Sequence, residues 1–190
     1  RGVVLAAGGF PHDLARRRAL FPRTPTGHEH LALPPPGCSG DGLALGESAG
    51  GVVHTDLASP AAWAPVSRVP YRDGSVGHFP HIIDRAKPGV IAVTPQGQRF
   101  TNEGNSYHDF VQAMVSACQG QKEITAWLLC DHRTLRQYGL GCVAPFPVPI
   151  GRHLKTGYLK RGATLGTMPP SRTGSPGIGA VSRTRVSQLG

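Results

Sequence analysis

Glu103 and Tyr107 put a carboxylate and a phenol four residues apart, where a helix is predicted to begin. A phenol can exchange a proton once its surroundings lower its pKa, and a nearby carboxylate can orient a group or relay charge. Tyr107 reads equally as the first core residue of that helix, so the local sequence leaves both roles open. Two glycine-bearing segments are candidates for a cofactor. The apolar run Val3-Val4-Leu5-Ala6-Ala7 ends at Gly8-Gly9, where a sugar or phosphate can approach a backbone without side chains and the next helix N-terminus favours anions. Gly40-Asp41-Gly42, followed by Gly46 and Gly50-Gly51, offers a carboxylate between glycines, suited to a ribose or ribityl hydroxyl. The competing readings are glycine used only for packing and Asp41 as an ordinary helix cap. The candidate site is therefore Glu103 and Tyr107 for catalysis, with Ala7, Gly8, Gly9, Asp41 and Gly42 for the cofactor.

Other chemistries find less support. GxGxxG is absent, so no self-contained dinucleotide site of the usual kind is expected. His28 and His30 share one loop and His78 and His81 another, but neither brings HExxH or a cysteine partner, and no metal is expected. Cys38, Cys118, Cys130 and Cys142 form no CxxC pair, which fits a reducing cytoplasm rather than a zinc ribbon or redox dithiol. No apolar run approaches the roughly 18 to 20 residues of a membrane span, and a soluble protein is expected.

The elements that must position these residues follow from pattern. The run 3–7 reads as a strand and the glycine pair as a tight turn, with Asp13 capping a helix from about Leu14. Five prolines between residues 22 and 39 exclude a regular helix there. Asp41 is expected to cap a second helix reaching about Gly50, its inner face drawn from Leu43, Leu45 and Ala49 and its glycines permitting close approach. Residues 60–88 return to loops, with Trp63, Tyr71 and Phe79 as expected buried anchors. Val90–Val93, a turn at Pro95-Gln96-Gly97, and Arg99-Phe100 predict a hairpin. Tyr107 to Cys118 carries apolar residues at three-and-four spacing, an amphipathic helix. Ile124 to Cys130 reads as a strand, after which Asp131 caps a short helix with Leu135 inward.

A formal charge of +9 raises the possibility of nucleic-acid binding. The charges are not clustered: Arg16-Arg17-Arg18 is the single basic triplet, and part of the excess lies in a tail holding Arg161, Arg172, Arg183 and Arg185 and no acid. No nucleic-acid partner is expected, and a noncatalytic basic binding polypeptide or a degenerate remnant are the rival readings. After about Thr164, glycine, proline, serine and arginine offer too little apolar surface to offset chain entropy, which predicts disorder.

Taken in order, Gly2-Val-Val-Leu-Ala-Ala-Gly-Gly-Phe10, Gly40-Asp-Gly42, Gly97-Gln-Arg-Phe-Thr-Asn-Glu103, Tyr107-His-Asp-Phe110 and Ala126-Trp-Leu-Leu-Cys-Asp131 resemble the FAD-dependent 3-ketosteroid dehydrogenase and fumarate reductase flavoprotein superfamily. The resemblance covers residues 1 to about 164 and is nearest to the ketosteroid 1-dehydrogenase-like branch. It implies an α+β fold, in which residues 1–59 are part of an FAD-binding α/β domain, 60–164 a mixed α/β capping or substrate domain, and 165–190 an atypical tail. It also implies FAD as cofactor, a hydrophobic carbonyl substrate of steroid type, and Tyr107 as the base beside the ketone while flavin accepts hydride. Glu103 and Tyr107 would face the flavin across the domain junction, and a homo-oligomer is compatible with this. Fumarate-reducing relatives need an arginine soon after the motif glutamate. Gly104, Asn105 and Ser106 stand there instead, with Arg133 and Arg136 as uncertain substitutes. Family parts that grip the FAD diphosphate and cover the flavin lie outside these residues, so a truncated product, inactive alone and with an out-of-frame tail, is the expectation.

Overall fold

The computed structural model describes residues 2–121, 123–163 and 178–181. It is a mixed helix and strand chain in two compact units, Arg1–Ala62 and Trp63–Gly190. The disordered tail expected over 165–190 lies outside the described residues except for Ile178–Val181, which form a strand.

The first unit holds two helices, α1 (Leu14–Leu20) and α2 (Asp41–Ser48), and no strand among its described residues. Asp13 caps α1 as expected, its carboxylate accepting from the Ala15 and Arg16 amides at 3.0 Å each. The strand expected over residues 3–7 does not form, and Val3 and Val4 stand 87% and 90% exposed. A strand exists only by pairing, and no described neighbour in this unit offers an edge. The segment lies along α2 instead: a Cβ built on Gly42 would sit 3.1 Å from the Ala7 Cβ, and one on Gly46 would sit 3.6 Å from Leu5 Cδ1. The close approach expected of these glycines is therefore realised. Asp41 is not a cap. Gly40, at φ 86°, occupies the cap position, while Asp41 is the first helical residue and accepts from Ser39 Oγ at 2.7 Å. The inner face expected for α2 is also shallow, with Leu45 and Ala49 exposed.

The proline-rich stretch 22–39 is irregular but not unsupported. Proline breaks backbone ladders and leaves carbonyls needing donors, and side chains of α1 and its flanks supply them. Arg17, buried, donates to Pro11 O at 3.0 Å and to His30 O; Arg18 Nε donates to Thr26 O at 2.9 Å; His12 and His30 reach Pro34 O and Pro22 O at 2.8 Å. Arg16 pairs with Asp13 and Glu47. All three arginines of the basic triplet are thus committed within the fold.

The second unit begins with an antiparallel hairpin, β1 (Val66–Pro70) and β2 (Val76–Pro80). Tyr71 is exposed rather than a buried anchor, because its ring lies over Gly77 of the facing strand, where a Cβ would come within 2.5 Å of it. Trp63 and Phe79 do pack, half-buried, on the core. A 3-10 turn at Asp84–Ala86 leads into β3 (Val90–Val93), with Gly89 at φ 84° before it. The main sheet runs β3-β4-β6-β5, with β4 at Trp127–Asp131, β5 at Leu159–Gly162 and β6 at Ile178–Val181. β3 and β4 are antiparallel, and both pairings of β6 are parallel. Val90 faces Cys130 and Ala92 faces Leu128, so the period-2 pattern puts these four on the buried face. The predicted hairpin beyond β3 shrinks to a turn, with the Thr94 amide on Gln98 O at 2.8 Å and a single bridge between Val93 and Arg99.

Helix α3 (Tyr107–Ala117) is capped by Ser106, whose Oγ accepts from the Asp109 amide at 3.1 Å and donates to the Asp109 carboxylate at 2.8 Å. Phe110, Val111 and Cys118 are buried at the expected spacing. Asp131 caps α4 (His132–Tyr138) through the Thr134 amide at 2.6 Å, with Leu135 in the core as predicted. The last helix, α5, spans Gly151–Lys155.

Gly89→Ala tests this framework. The new methyl would fall 2.3 Å from Thr134 Oγ1 at a backbone angle that L-residues avoid, so a loss of about 2 kcal/mol or more in a urea unfolding titration is expected.

Candidate active site

The loop before α3 is organised by two arginines. Glu103 is buried, and its carboxylate accepts from Arg99 Nε at 3.0 Å, from Arg99 Nη2 at 2.5 Å and from the Ala92 amide at 2.7 Å. Ala92 lies on β3, the edge strand of the main sheet, so the carboxylate satisfies an amide that a further strand would otherwise take. Burial works against ionisation of Glu103, but the Arg99 hydrogen bonds and the Ala92 amide outweigh it and hold the carboxyl below the ordinary glutamate range. Glu103 is thus a fixed anion with its lone pairs engaged, which suits anchoring rather than proton delivery. Arg85, 2% exposed, donates to His81 O at 3.1 Å, to Glu103 O and to Asn105 O at 2.7 Å, and its guanidinium lies 4.9 Å from the Phe110 ring centre.

These contacts set out the peptide that carries Tyr107. Asn102 turns the chain, its side chain accepting from the Gly104 amide at 2.9 Å and its carbonyl from the Asn105 amide at 3.1 Å. Ser106 then caps the helix, and Tyr107 follows as its first residue, 38% exposed. The core reading of Tyr107 does not hold, since the residue is exposed at the start of α3.

A second polar constellation was not foreseen. Tyr158 Oη lies 2.8 Å from Ser67 Oγ, which lies 2.9 Å from His81 Nε2, while His81 Nδ1 lies 2.7 Å from Asp84 Oδ2. Asp84 Oδ2 also accepts from the Gly141 amide at 2.7 Å, and Tyr158 Oη accepts from the Cys142 amide at 3.2 Å. Burial disfavours the Asp84 anion, but the His81 hydrogen bond and charge prevail and its carboxyl is held below the usual aspartate value. Burial pushes the Tyr158 phenol upward. The Ser67, His81 and Asp84 spacings match those of a nucleophilic triad. Ser67 is only 4% exposed, however, and also engages Tyr158, so the chain ties β1, the 3-10 turn and the segment before β5 together. Both ring nitrogens of His81 are used, which removes it as a metal ligand. His81-x-x-Asp84 was visible as a local spacing; Ser67 and Tyr158, 91 residues apart, gave no local sign.

In the first unit, the two segments expected to contact a cofactor meet. Ala7 sits against Gly42, which brings Ala7-Gly8-Gly9 beside the first turn of α2. Gly8, at φ 82°, has nothing within 4 Å of an added Cβ, and Asp41 is exposed. The first turn of α2 thus presents the exposed Asp41 carboxylate beside the open backbone at Gly8. Arg136, by contrast, donates to Val148 O at 2.7 Å and lies over the Phe146 ring at 5.3 Å, a structural use rather than a substrate-facing one.

The chain has relatives among known proteins. The family model described as FAD binding domain matches residues 1–181. The chain is 40% identical over 164 residues to 4-oxocyclohex-2-ene-1-carboxylate 5-dehydrogenase of Sinomonas cyclohexanicum, covering 86% of this chain and 28% of that protein. It is 32% identical over 171 residues to 3-oxosteroid 1-dehydrogenase of Mycobacterium tuberculosis, covering 87% and 29%. Among solved structures, it superposes on 3-ketosteroid delta1-dehydrogenase from Sterolibacterium denitrificans in complex with 1,4-androstadiene-3,17-dione, with TM-score 0.59, 28% identity and coverage of 80% of this chain and 27% of that one. The chain thus spans less than a third of the length of these relatives.

Glu103→Gln tests the anchoring role. A depressed carboxyl stabilises the fold fully above its unfolded pKa, about 4.3, and that contribution fades as pH falls through the lower folded value. The variant is expected to lose about 2 kcal/mol at neutral pH. Its urea-unfolding free energy should also fall less steeply below pH about 4.3 than that of the unsubstituted chain.

Proposed function

The chain belongs to the FAD binding domain family, and we propose that it is the portion of a flavin-dependent dehydrogenase, ketosteroid dehydrogenase-like, that carries the proton acceptor and part of the cofactor's cradle. The observation behind this reading is Tyr107: an exposed phenol at the first position of a capped helix, on a peptide fastened from both sides by buried charged groups.

In this reading Ala7, Gly8 and Gly9 give their open backbone to the cofactor, with Asp41 accepting hydrogen bonds from its sugar hydroxyls and Gly42 leaving room for Ala7. FAD, when bound, accepts a hydride from a carbon of the substrate. Tyr107 removes the proton from the adjacent carbon, next to the ketone, so that a carbon–carbon double bond forms in conjugation with the carbonyl. Glu103 takes no proton; it keeps Arg99 and β3 in place behind the loop. The second unit then serves as the capping or substrate domain. The substrate class is a ring ketone, the feature shared by the oxocyclohexene carboxylate and the oxosteroids that name the relatives. A fumarate-type reaction is disfavoured because the peptide between Glu103 and Tyr107 supplies no arginine and Arg136 is already engaged.

Two measurements test the reading. The purified chain mixed with FAD and freed of unbound cofactor is expected to absorb near about 450 nm and to unfold at higher temperature. A colourless protein with an unchanged melting temperature would remove residues 7–9 and 41–42 from the cofactor site of this chain. In a full-length relative, changing the tyrosine that matches Tyr107 to phenylalanine should cut turnover of 3-oxosteroids or 4-oxocyclohexane carboxylates by about 100-fold or more with flavin absorbance intact. Unchanged turnover would take Tyr107 out of the chemistry.

A further inference from the structure

We infer that Arg85 is the positioning residue for Tyr107: one buried guanidinium, bonded to main-chain carbonyls ahead of the phenol and stacked on the ring that follows it, fixes where the phenol stands. The inference rests on the proposed role of Tyr107 as proton acceptor.

Arg85 is spent in an unusual way. Arg99, and not Arg85, takes the Glu103 carboxylate, while the Arg85 nitrogens go to three carbonyls, those of His81, Glu103 and Asn105. Burying a cation on neutral acceptors is costly, and burial pulls this guanidinium below its usual range despite the nearby Asp84 and Glu103 charges. What the arrangement provides is geometry. A planar fork reaches carbonyls on residues 103 and 105 together, which a lysine ammonium cannot do with fixed orientation. Those carbonyls lie four and two residues before Tyr107, and Phe110, under the guanidinium, lies three residues after it. Among the described residues no hydrogen bond is found to the Tyr107 phenol itself, so its place is set through this backbone. The clamp is itself braced, because Arg85 adjoins Asp84 and holds His81 O, and both residues belong to the buried chain to Ser67 and Tyr158. The same short turn thus grips the core on one side and the Tyr107 loop on the other.

The chain contains four tyrosines, Tyr71, Tyr107, Tyr138 and Tyr158. Labelled with 3-fluorotyrosine and assigned by single Tyr→Phe changes, these give four fluorine resonances without any need for bound FAD. In Arg85→Lys and Arg85→Met, the Tyr107 resonance is expected to broaden or shift while those of Tyr71 and Tyr138 stay. A Tyr107 resonance that stays in place in a folded variant overturns the inference. So does loss of dispersion at all four positions in both variants, which would make Arg85 a residue of the fold rather than of the loop. In a full-length relative, changing the arginine that matches Arg85 to lysine should lower kcat by about 10- to 100-fold with KM little changed. An equal effect on both constants would count against positioning. Failure of the underlying reading shows separately: changing the tyrosine that matches Tyr107 to phenylalanine would then leave the relative's turnover intact, whatever the fluorine spectra of the Arg85 variants report.

Discussion

A carboxylate can be buried at the edge of a sheet only if every lone pair it brings is answered, and around Glu103 much of the second unit is arranged to do this. Arg99 supplies two donors from a turn that leaves β3, and β3 supplies a third through the Ala92 amide. The turn closing the loop back toward Arg99 is short because Gly97 takes a positive φ and its amide returns to Thr94. On the other side of the same residue, the Glu103 carbonyl receives Arg85. One residue therefore fastens the sheet edge with its side chain and the following helix with its backbone, and β3, the 103–106 loop and α3 form one mechanical piece.

The buried chain from Tyr158 through Ser67 and His81 to Asp84 does comparable work farther along the unit. It joins a hairpin, a 3-10 turn and the approach to β5. In a low-dielectric interior such a chain is strong when each member is satisfied. Here the members are, save for Asp84 Oδ1, which is buried without a hydrogen-bond partner among the described residues.

What could be read directly from the sequence was local. Asp13 and Asp131 cap α1 and α4 with the side chain on the expected amides, and the apolar run in residues 90–93 marks a strand. The order of motifs along the chain identified the flavin-binding family, since each is short but their succession is not. Features that depend on distant partners were misread or missed. Val3–Ala7 has the composition of a strand but no described edge to join; Asp41 looks like a cap until Gly40 takes the left-handed position; Tyr71 is drawn over Gly77 instead of into the core. Arg85 is the sharpest case. Nothing in Asp84-Arg85-Ala86 says that an arginine will be buried on carbonyls 18 and 20 positions away. The arginine triplet is likewise engaged within the fold, Arg17 and Arg18 on carbonyls of a proline-rich loop that cannot satisfy itself and Arg16 on Asp13 and Glu47.

The contact between Ala7 and Gly42 links two positions 35 residues apart through the space of a single methyl group. A methyl added at Gly42 would stand 3.1 Å from the Ala7 Cβ, so that the 5–7 segment must give by a few tenths of an ångström to admit it. Substitutions at the two positions should therefore be coupled, the side chains tolerated at 42 depending on what stands at 7. A side-by-side library at positions 7 and 42 would accordingly be non-additive, although neither side chain carries any chemistry of its own.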